Sequence, residues 1–587
     1  MNTLCLLAAI AGATAIEPVI VTATRTEIPM RLALSSVDLI QGDELLRQPA
    51  SDLGDALRMR AGVEVARLGG PGQQTSLFLR GTESNHALVL VDGLRINPGT
   101  IGSAAIQNIA PELVERIEIV KGPRSTLYGS DALGGVINVI TRRGAADGGV
   151  QAGLGRHDTR SASLAAGIDG SRGDASFGAS WLDSEGIPTR SGDSRDRGFE
   201  NRSFIAAGTT EVGAAELGLH AWHASGRSEY SDFFIAPVDQ DFENAALALT
   251  AAFAPTATWD SRLMVGHALD DLEQNQSPDF VETRRWTLDW QNDIALSQRN
   301  TLTAGVLWQD EDADAESFGL PYGSETTTSQ FYVQDQVTIG PHRMLLAAAY
   351  TDHETFGGHS TWNAEYGHAI GERALITIAA GTAFRAPDAT DLFGFGGNPD
   401  LEPEESESFE LSYRHRILDR QAITLTAFRN DIDELIEFVV LDPDTFEGEN
   451  RNVERARIEG LEASWHFDGE AWAARATATV QEPRDRVTDE RLLRRADENF
   501  TLGLMRRIGA HEVALDVLYA GAREDFGFPP VRLPAYWLAN LSARVAFNER
   551  WTLLARMENL FDEDYELARG FNTMGRSLFV ALRHEFR

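Results

Sequence analysis

The sequence is short of cysteine, of long apolar runs and of positive charge, and each shortage removes a class of explanation. Of 587 residues only Cys5 is a cysteine, so a disulfide framework is excluded, and with it thiol chemistry once the first residues are removed. Beyond residue 15 no stretch reaches the roughly 18 consecutive apolar residues of a membrane-spanning helix. Lysine and arginine total 52 against 88 aspartates and glutamates, a formal net charge of −36. A chain so acidic repels a phosphate backbone, and nucleic acid is not expected as a partner. Catalytic patterns are absent as well. His353-Glu354 and His511-Glu512 lack the second histidine of HExxH, no GxSxG elbow or phosphate-binding loop occurs, and the thirteen histidines show no ligand-like clustering. Carboxylate pairs such as Glu404-Glu405 follow from the acidic composition and read as solvated loop. Neither an enzyme, a cofactor nor a metal site is expected.

No Pro/Ser-rich linker or low-complexity tract divides the chain, which points to one small domain joined to one very large one. The first fifteen residues, MNTLCLLAAIAGATA, form a short apolar run ending in the small-x-small pattern Ala13-Thr14-Ala15. A signal peptide cleaved after Ala15 is expected, although the usual positively charged start is missing. If the mature chain enters a membrane without apolar helices, it must do so as a closed β-barrel.

The stretch around residues 112–143 organises the small domain. Val114, Arg116, Ile117, Glu118 and Ile119 mix apolar and charged residues in strand fashion until Gly122-Pro123 stops the run. A β-branched strand, Val136 to Thr141, follows through Gly134-Gly135. Upstream, Ser51-Asp52 predicts the cap of a helix running through Leu57, with short strands at 62–66, 76–80 and 87–91. Beyond about Gly144 the chain becomes a succession of alternating segments. Trp537, Ala539, Leu541, Ala543, Val545 and Phe547 share one face, with Tyr536, Asn540, Ser542 and Arg544 on the other. The last segment sets Leu578, Val580, Leu582 and Phe586 against Ser577, Arg583 and Glu585. That is the apolar-out, polar-in pattern of a membrane barrel. Aromatic residues near strand ends (Trp181, Trp222, Trp259, Trp286, Trp290, Trp308, Tyr350, Trp362, Trp551) suit its interfacial girdles.

The residues ERIEIVKGPRSTLYGSDALGGVINVIT (115–141) resemble the last third of the plug domain of TonB-dependent outer-membrane receptors. Within that family, RGTESNHALVLVDGLRIN (80–97) and PRSTLYGSDALGGVINVIT (123–141) are most similar to the cobalamin receptors. The similarity continues through GFGGNPDLEPEESES (394–408), RLLRRA (491–496) and NLFDEDYE (559–566). The resemblance implies an all-β membrane protein of the bacterial outer membrane. Its fold would be a 22-stranded antiparallel transmembrane β-barrel with an N-terminal α+β plug domain in the lumen. The boundaries it implies are a signal peptide at 1–15, a TonB box segment at 16–25, the plug at 26–143 and the barrel at 144–587. Such a monomer, set in outer-membrane lipid, would bind cobalamin or a related corrinoid outside and import it with energy from TonB and the ExbB–ExbD complex. A siderophore or other metal chelate is the alternative cargo.

Carried over residue by residue, the resemblance makes Pro18, Val19, Ile20, Val21, Thr22 and Ala23 the TonB box, which would pair by β-augmentation with a periplasmic partner. It makes Gln74, Ser76, Glu83, Thr100 and Ile101 of the plug, with Tyr322 and Arg494 of the barrel, ligand contacts. Polar groups converging there suit an amide-rich ligand, whose amides need partners once desolvated. Arg80 and Arg116 of the plug would form an ion-pair lock with Glu410 and Glu462 of the wall. The cobalamin receptors also bind calcium through aspartates in two outer hairpin loops. Here Arg195 and Arg197 stand where two of them are wanted, Pro188 falls near a third, and only Asp232 and Asp239 correspond approximately. Guanidinium groups cannot ligate calcium, so no calcium is expected. Family members end on an aromatic residue, whereas this chain adds Arg587 after Phe586.

Overall fold

A computed structural model describes residues 18–47, 52–144, 148–442 and 447–586. The expected signal peptide, Ile16-Glu17 and Arg587 lie outside these. Among the described residues no helix is long and apolar enough to cross a membrane. The chain instead forms a closed antiparallel barrel of 22 strands, beginning with Gly149–Gly155 and ending with Ser577–Glu585. First and last strands pair, Gly149 opposite Glu585 and Gly155 opposite Phe579. Closure leaves no strand edge unpaired, which is what allows a sheet to sit in hydrocarbon.

The alternation in the sequence maps onto the two faces of the wall. In the strand Pro237–Thr256, Leu247, Leu249 and Phe253 are exposed on the outside while Asn244, Ala246 and Ala248 are buried on the inside. In Tyr536–Ala546, Trp537 and Leu541 face out, and Tyr536 and Ser542 face in. The strands differ in reach. About ten residues cross a bilayer, yet Gln421–Asp442 and Glu447–Asp468 have 22 each, so this hairpin projects well beyond one face. Turns at one end are tight, as between Val212 and Ala215 or Ile508 and His511, and at the other end the connections 386–403 and 559–576 are long. Short turns mark the periplasmic side and long loops the outside.

Within the plug, the segments are β1 (Val19–Ile20), β2 (Ile28–Pro29), β3 (Val37–Gln41), β4 (Val63–Arg67), β5 (Thr75–Leu79), β6 (Ala87–Val91), β7 (Leu94–Arg95), β8 (Val114–Lys121) and β9 (Gly135–Thr141). The helix Leu53–Leu57 is capped by Asp52, whose side chain accepts the Asp55 amide at 3.2 Å. A five-stranded sheet runs in the order β3-β8-β9-β6-β7, with β6 and β9 parallel and the other pairs antiparallel. Ile117, Ile119, Val136, Ile137 and Val139 of its two central strands are buried. Gly135 opens β9 because the chain there passes tightly over β8: a Cβ on it would stand 2.2 Å from the Val120 carbonyl oxygen.

The inner wall departs from the polar lining the alternation implied. Phe199, Ile205, Trp222, Phe242 and Met264 point inward and form one apolar cluster with Ile40, Leu53, Ile117 and Val139 of the plug. Trp222, expected in an interfacial girdle, is buried in this seam. The reason is that the lumen is filled here by protein and not by water, so an inward apolar residue is desolvated as in any core.

Candidate functional site

The plug is held to the opposite wall by charge. Arg80 follows β5 with a left-handed φ of 51° and donates its amide to the Gly62 carbonyl at 2.7 Å. Its guanidinium then reaches the barrel, giving bonds of 2.7 Å to Glu410, and of 2.9 and 3.2 Å to Glu462. The ring of Phe428 lies 4.6 Å beneath it. Lys121, at the end of β8, adds contacts of 3.2 Å to Glu462 and 2.9 Å to Asp38. Gly62 leaves room for this approach, since a Cβ there would stand 2.0 Å from a Glu462 carboxylate oxygen.

Arg116, expected in the same lock, does not reach the wall. It pairs within the plug, with Glu118 and Glu115 at 3.0 Å each. Arg116 and Lys121 stand on opposite faces of β8, because side chains alternate along a strand, and the lysine takes the place foreseen for the arginine.

The segment at 18–23 is folded in rather than extended and free. β1 pairs with β2, and the amides of Val21 and Thr22 both donate to one Glu118 oxygen at 2.9 Å, joined by the Thr22 hydroxyl at 2.7 Å. Ile20, Thr22 and Ala23 are buried, whereas Val19 is exposed. Arg25, which the sequence pattern did not single out, pins the next turn. It pairs with Asp289 of the wall at 2.5 Å, and its guanidinium lies 4.9 Å from the rings of both Tyr128 and Tyr332. A basic residue directly after the apolar segment 18–23 was the available signal.

At the outer face the expected ligand contacts fall into separate groups. Thr100 is fully buried, 3.4 Å from the Thr283 hydroxyl of the wall, so it holds its loop and offers no surface to a ligand. The carbonyls of Gly99 and Thr100 accept the amides of Ala389 and Thr390, and the Thr390 hydroxyl bonds Tyr322 at 3.0 Å. Ile101 beside them is half-buried. Glu83 pairs at 2.5 Å with Arg495, while Arg494 turns to Asp525 at 2.8 Å. Gln74 and Ser76 sit on the β4–β5 hairpin, exposed and half-buried respectively. Glu64 of β4 accepts the Ala496 amide at 2.8 Å, and burial pushes its carboxyl up to about 7.

Two outer loops, 188–196 and 232–236, are tied together by side-chain bonds. Asp193 accepts the Ser231 hydroxyl at 2.6 Å, the Arg197 guanidinium at 2.7 Å and the Arg195 amide at 3.1 Å. Those bonds, the Ser231 hydroxyl first, hold its carboxyl well below the usual range. Arg195 also donates to the Ile235 carbonyl at 2.7 Å, and Asp232 accepts the amides of Phe234 and Ala236. Both guanidinium groups bond the Asp193 carboxylate.

In comparison with known proteins, residues 29–136 match the TonB-dependent Receptor Plug Domain and residues 156–560 match the TonB dependent receptor-like beta-barrel. The Vitamin B12 transporter BtuB of Photobacterium profundum is 28% identical over 585 residues, covering 97% of this chain and 96% of the relative. That of Vibrio vulnificus is 31% identical over 596 residues, covering 97% and 95%. Among solved structures, a mutant ferric enterobactin receptor PfeA of Pseudomonas aeruginosa superposes with a TM-score of 0.81 at 17% identity, over 97% of this chain and 100% of that one. FpvA of P. aeruginosa, bound to heterologous pyoverdines, gives 0.83 at 15% identity, over 97% and 88%. At such identities the structural likeness speaks for the fold alone.

Replacing Arg80 with alanine strands Glu410 and Glu462 without their shared guanidinium, and urea unfolding should show a loss of about 3–5 kcal/mol. Arg116→Ala removes a partly exposed guanidinium from a buried carboxylate that keeps its bonds from Val21 and Thr22, and should cost less than Arg80→Ala. Equal losses for the two would undo the assignment of the lock to Arg80.

Proposed function

The chain belongs to the TonB-dependent receptor family of the outer membrane, and from that premise we propose that it imports cobalamin or a related corrinoid, as a monomer energised through TonB and the ExbB–ExbD complex. The observation that carries this reading is the near full-length similarity to two relatives named as vitamin B12 transporters. The charge of the outer face agrees with it. In the 386–403 loop Asp388 and Asp391 pair with Arg385, while Asp400 and Glu402 stand exposed, a potential that disfavours an anionic ferric chelate more than a ligand with little net charge. Phe233, Phe234, Phe526 and Phe528 stand exposed on outer loops, where they offer apolar contact to a large planar ring.

One feature favours the rival cargo, a siderophore or other metal chelate: the arginine-rich segment Arg491, Arg494, Arg495 suits an anion. Each of the three is already matched by a carboxylate, of Asp497, Asp525 and Glu83 respectively, which blunts that argument.

Arg494 is partly exposed and offers guanidinium donors beside Asp525. Titration calorimetry with cyanocobalamin should show binding by the wild type. Arg494→Ala should weaken it by about 1.5–3 kcal/mol, roughly ten- to a hundredfold. No binding by the wild type would turn the reading to the siderophore alternative, and equal binding would remove Arg494 from the site.

We further propose that the loops 188–196 and 232–236 need no calcium, since Arg195 and Arg197 satisfy Asp193. Ligand affinity measured with and without a chelator should agree, and a large loss on chelation would show that other carboxylates hold a cation.

Residues 18–23 we assign to TonB docking. Val21→Pro deletes an amide that pairing requires and should abolish energised uptake while leaving cyanocobalamin binding intact. Uptake that persists would refute the assignment.

A further inference from the structure

Two adjacent arginines in the segment 491–496 do different work, and the backbone explains how. Arg494 has a φ of 66°, in the left-handed region that a residue with a side chain adopts at a cost and usually for a reason. Its amide donates to the Glu524 carbonyl and its side chain to Asp525, both in the outer connection 521–535. The left-handed turn sends the next residue the other way. Arg495 enters the plug, where its guanidinium donates to the Gly81 carbonyl at 3.2 Å and to Glu83 at 2.5 Å, 4.7 Å from the ring of Phe78. Its side chain is 6% exposed. The following amide, of Ala496, donates to Glu64 of β4 at 2.8 Å.

The plug loop Thr82–His86 is thereby gripped from one side by Arg495. From the other side it is held through His86, whose Nδ1 accepts the Glu83 amide at 3.2 Å and whose Nε2 lies 3.0 Å from Glu404 of the wall. Because Nδ1 accepts, the proton sits on Nε2 and donates to the carboxylate. Arg385 bonds the same Glu404 oxygen at 2.7 Å and so fixes the acceptor. The loop has partners at each end and Glu83 between them.

We infer that Arg495 is a positioning residue for ligand capture: it touches no ligand, but sets the conformation of the plug loop Thr82–His86 and the orientation of Glu83. Arg494 and Arg495 then link the mouth to the plug through one stretch of backbone, so that a ligand drawn to the Arg494 side meets a loop already in place. A pre-set loop spares the ordering cost that binding would otherwise carry. Only the affinity arm of the test below rests on the corrinoid reading.

Hydrogen exchange on the purified, ligand-free full chain separates this role from simple cement. In Arg495→Ala the amides of residues 82–86 should exchange about tenfold faster or more, with those of β9 and the barrel strands unchanged, because only a local opening has been eased. Arg495→Lys keeps the charge but loses the fork, and should fall between. Should the alanine variant fail to fold, Glu83→Gln breaks the same contact from the other end and should give the same local rise. Cyanocobalamin affinity should fall about tenfold in Arg495→Ala at unchanged melting temperature, and the Glu83→Gln/Arg495→Ala double variant should be no weaker than the worse single one. Unchanged exchange at 82–86 overturns the inference, as do faster exchange with full affinity and additive losses in the double variant. If the wild type binds no cyanocobalamin, the corrinoid reading falls alone and the exchange result decides the role of Arg495.

Discussion

The rest of the structure leans on one guanidinium, that of Arg80, standing between Glu410 and Glu462 inside the barrel. A plug sealed in a lumen must bury charge somewhere, and buried charge is tolerable only when paired and hydrogen-bonded. Arg80 meets that condition with three bonds to two carboxylates, and Lys121 meets it again on the shared Glu462. The surrounding chain accommodates the group: Gly62 has no side chain where the carboxylate passes, and Arg80 itself adopts a left-handed backbone.

The plug therefore has two kinds of boundary with its barrel. Along strands near Phe199, Trp222 and Phe242 it is joined by apolar packing continuous with its own core. Elsewhere it is joined by ion pairs and hydrogen bonds, at Arg80, Lys121, Arg25, Arg495 and His86. These differ in how they yield. Polar contacts exchange with water at modest net cost, whereas exposing apolar area carries a cost proportional to the area.

Glu118 connects the two ends of the plug. One of its oxygens takes Arg116, and the other takes the amides of Val21 and Thr22. It lies on β8, the strand that ends in Lys121. The segment 18–23 and the wall contact of Lys121 are thus anchored on one strand, three residues apart. At the outer face the same economy recurs in Arg494-Arg495-Ala496, where consecutive residues serve the mouth, the plug loop and β4.

Local pattern and composition determined a good deal of this by themselves. Alternation of apolar and polar residues beyond about Gly144, with no apolar helix, already pointed to a membrane barrel, because period-two side-chain placement is a property of each strand alone. The strand at 136–141 and the cap at Asp52 were legible for the same reason, whereas the place of Arg195 and Arg197 was legible only through the family resemblance. What only the tertiary structure decided was which of several equivalent side chains meets which partner. Alternation sets Arg116 and Lys121 on opposite faces of β8 but does not say which face meets the wall, and one left-handed residue separates Arg494 from Arg495. Trp222 is buried because the lumen it faces is filled by the plug, and Thr100 of the plug because the wall covers it. Such choices depend on groups hundreds of residues away in the chain, and those groups come together only when the barrel closes around the plug.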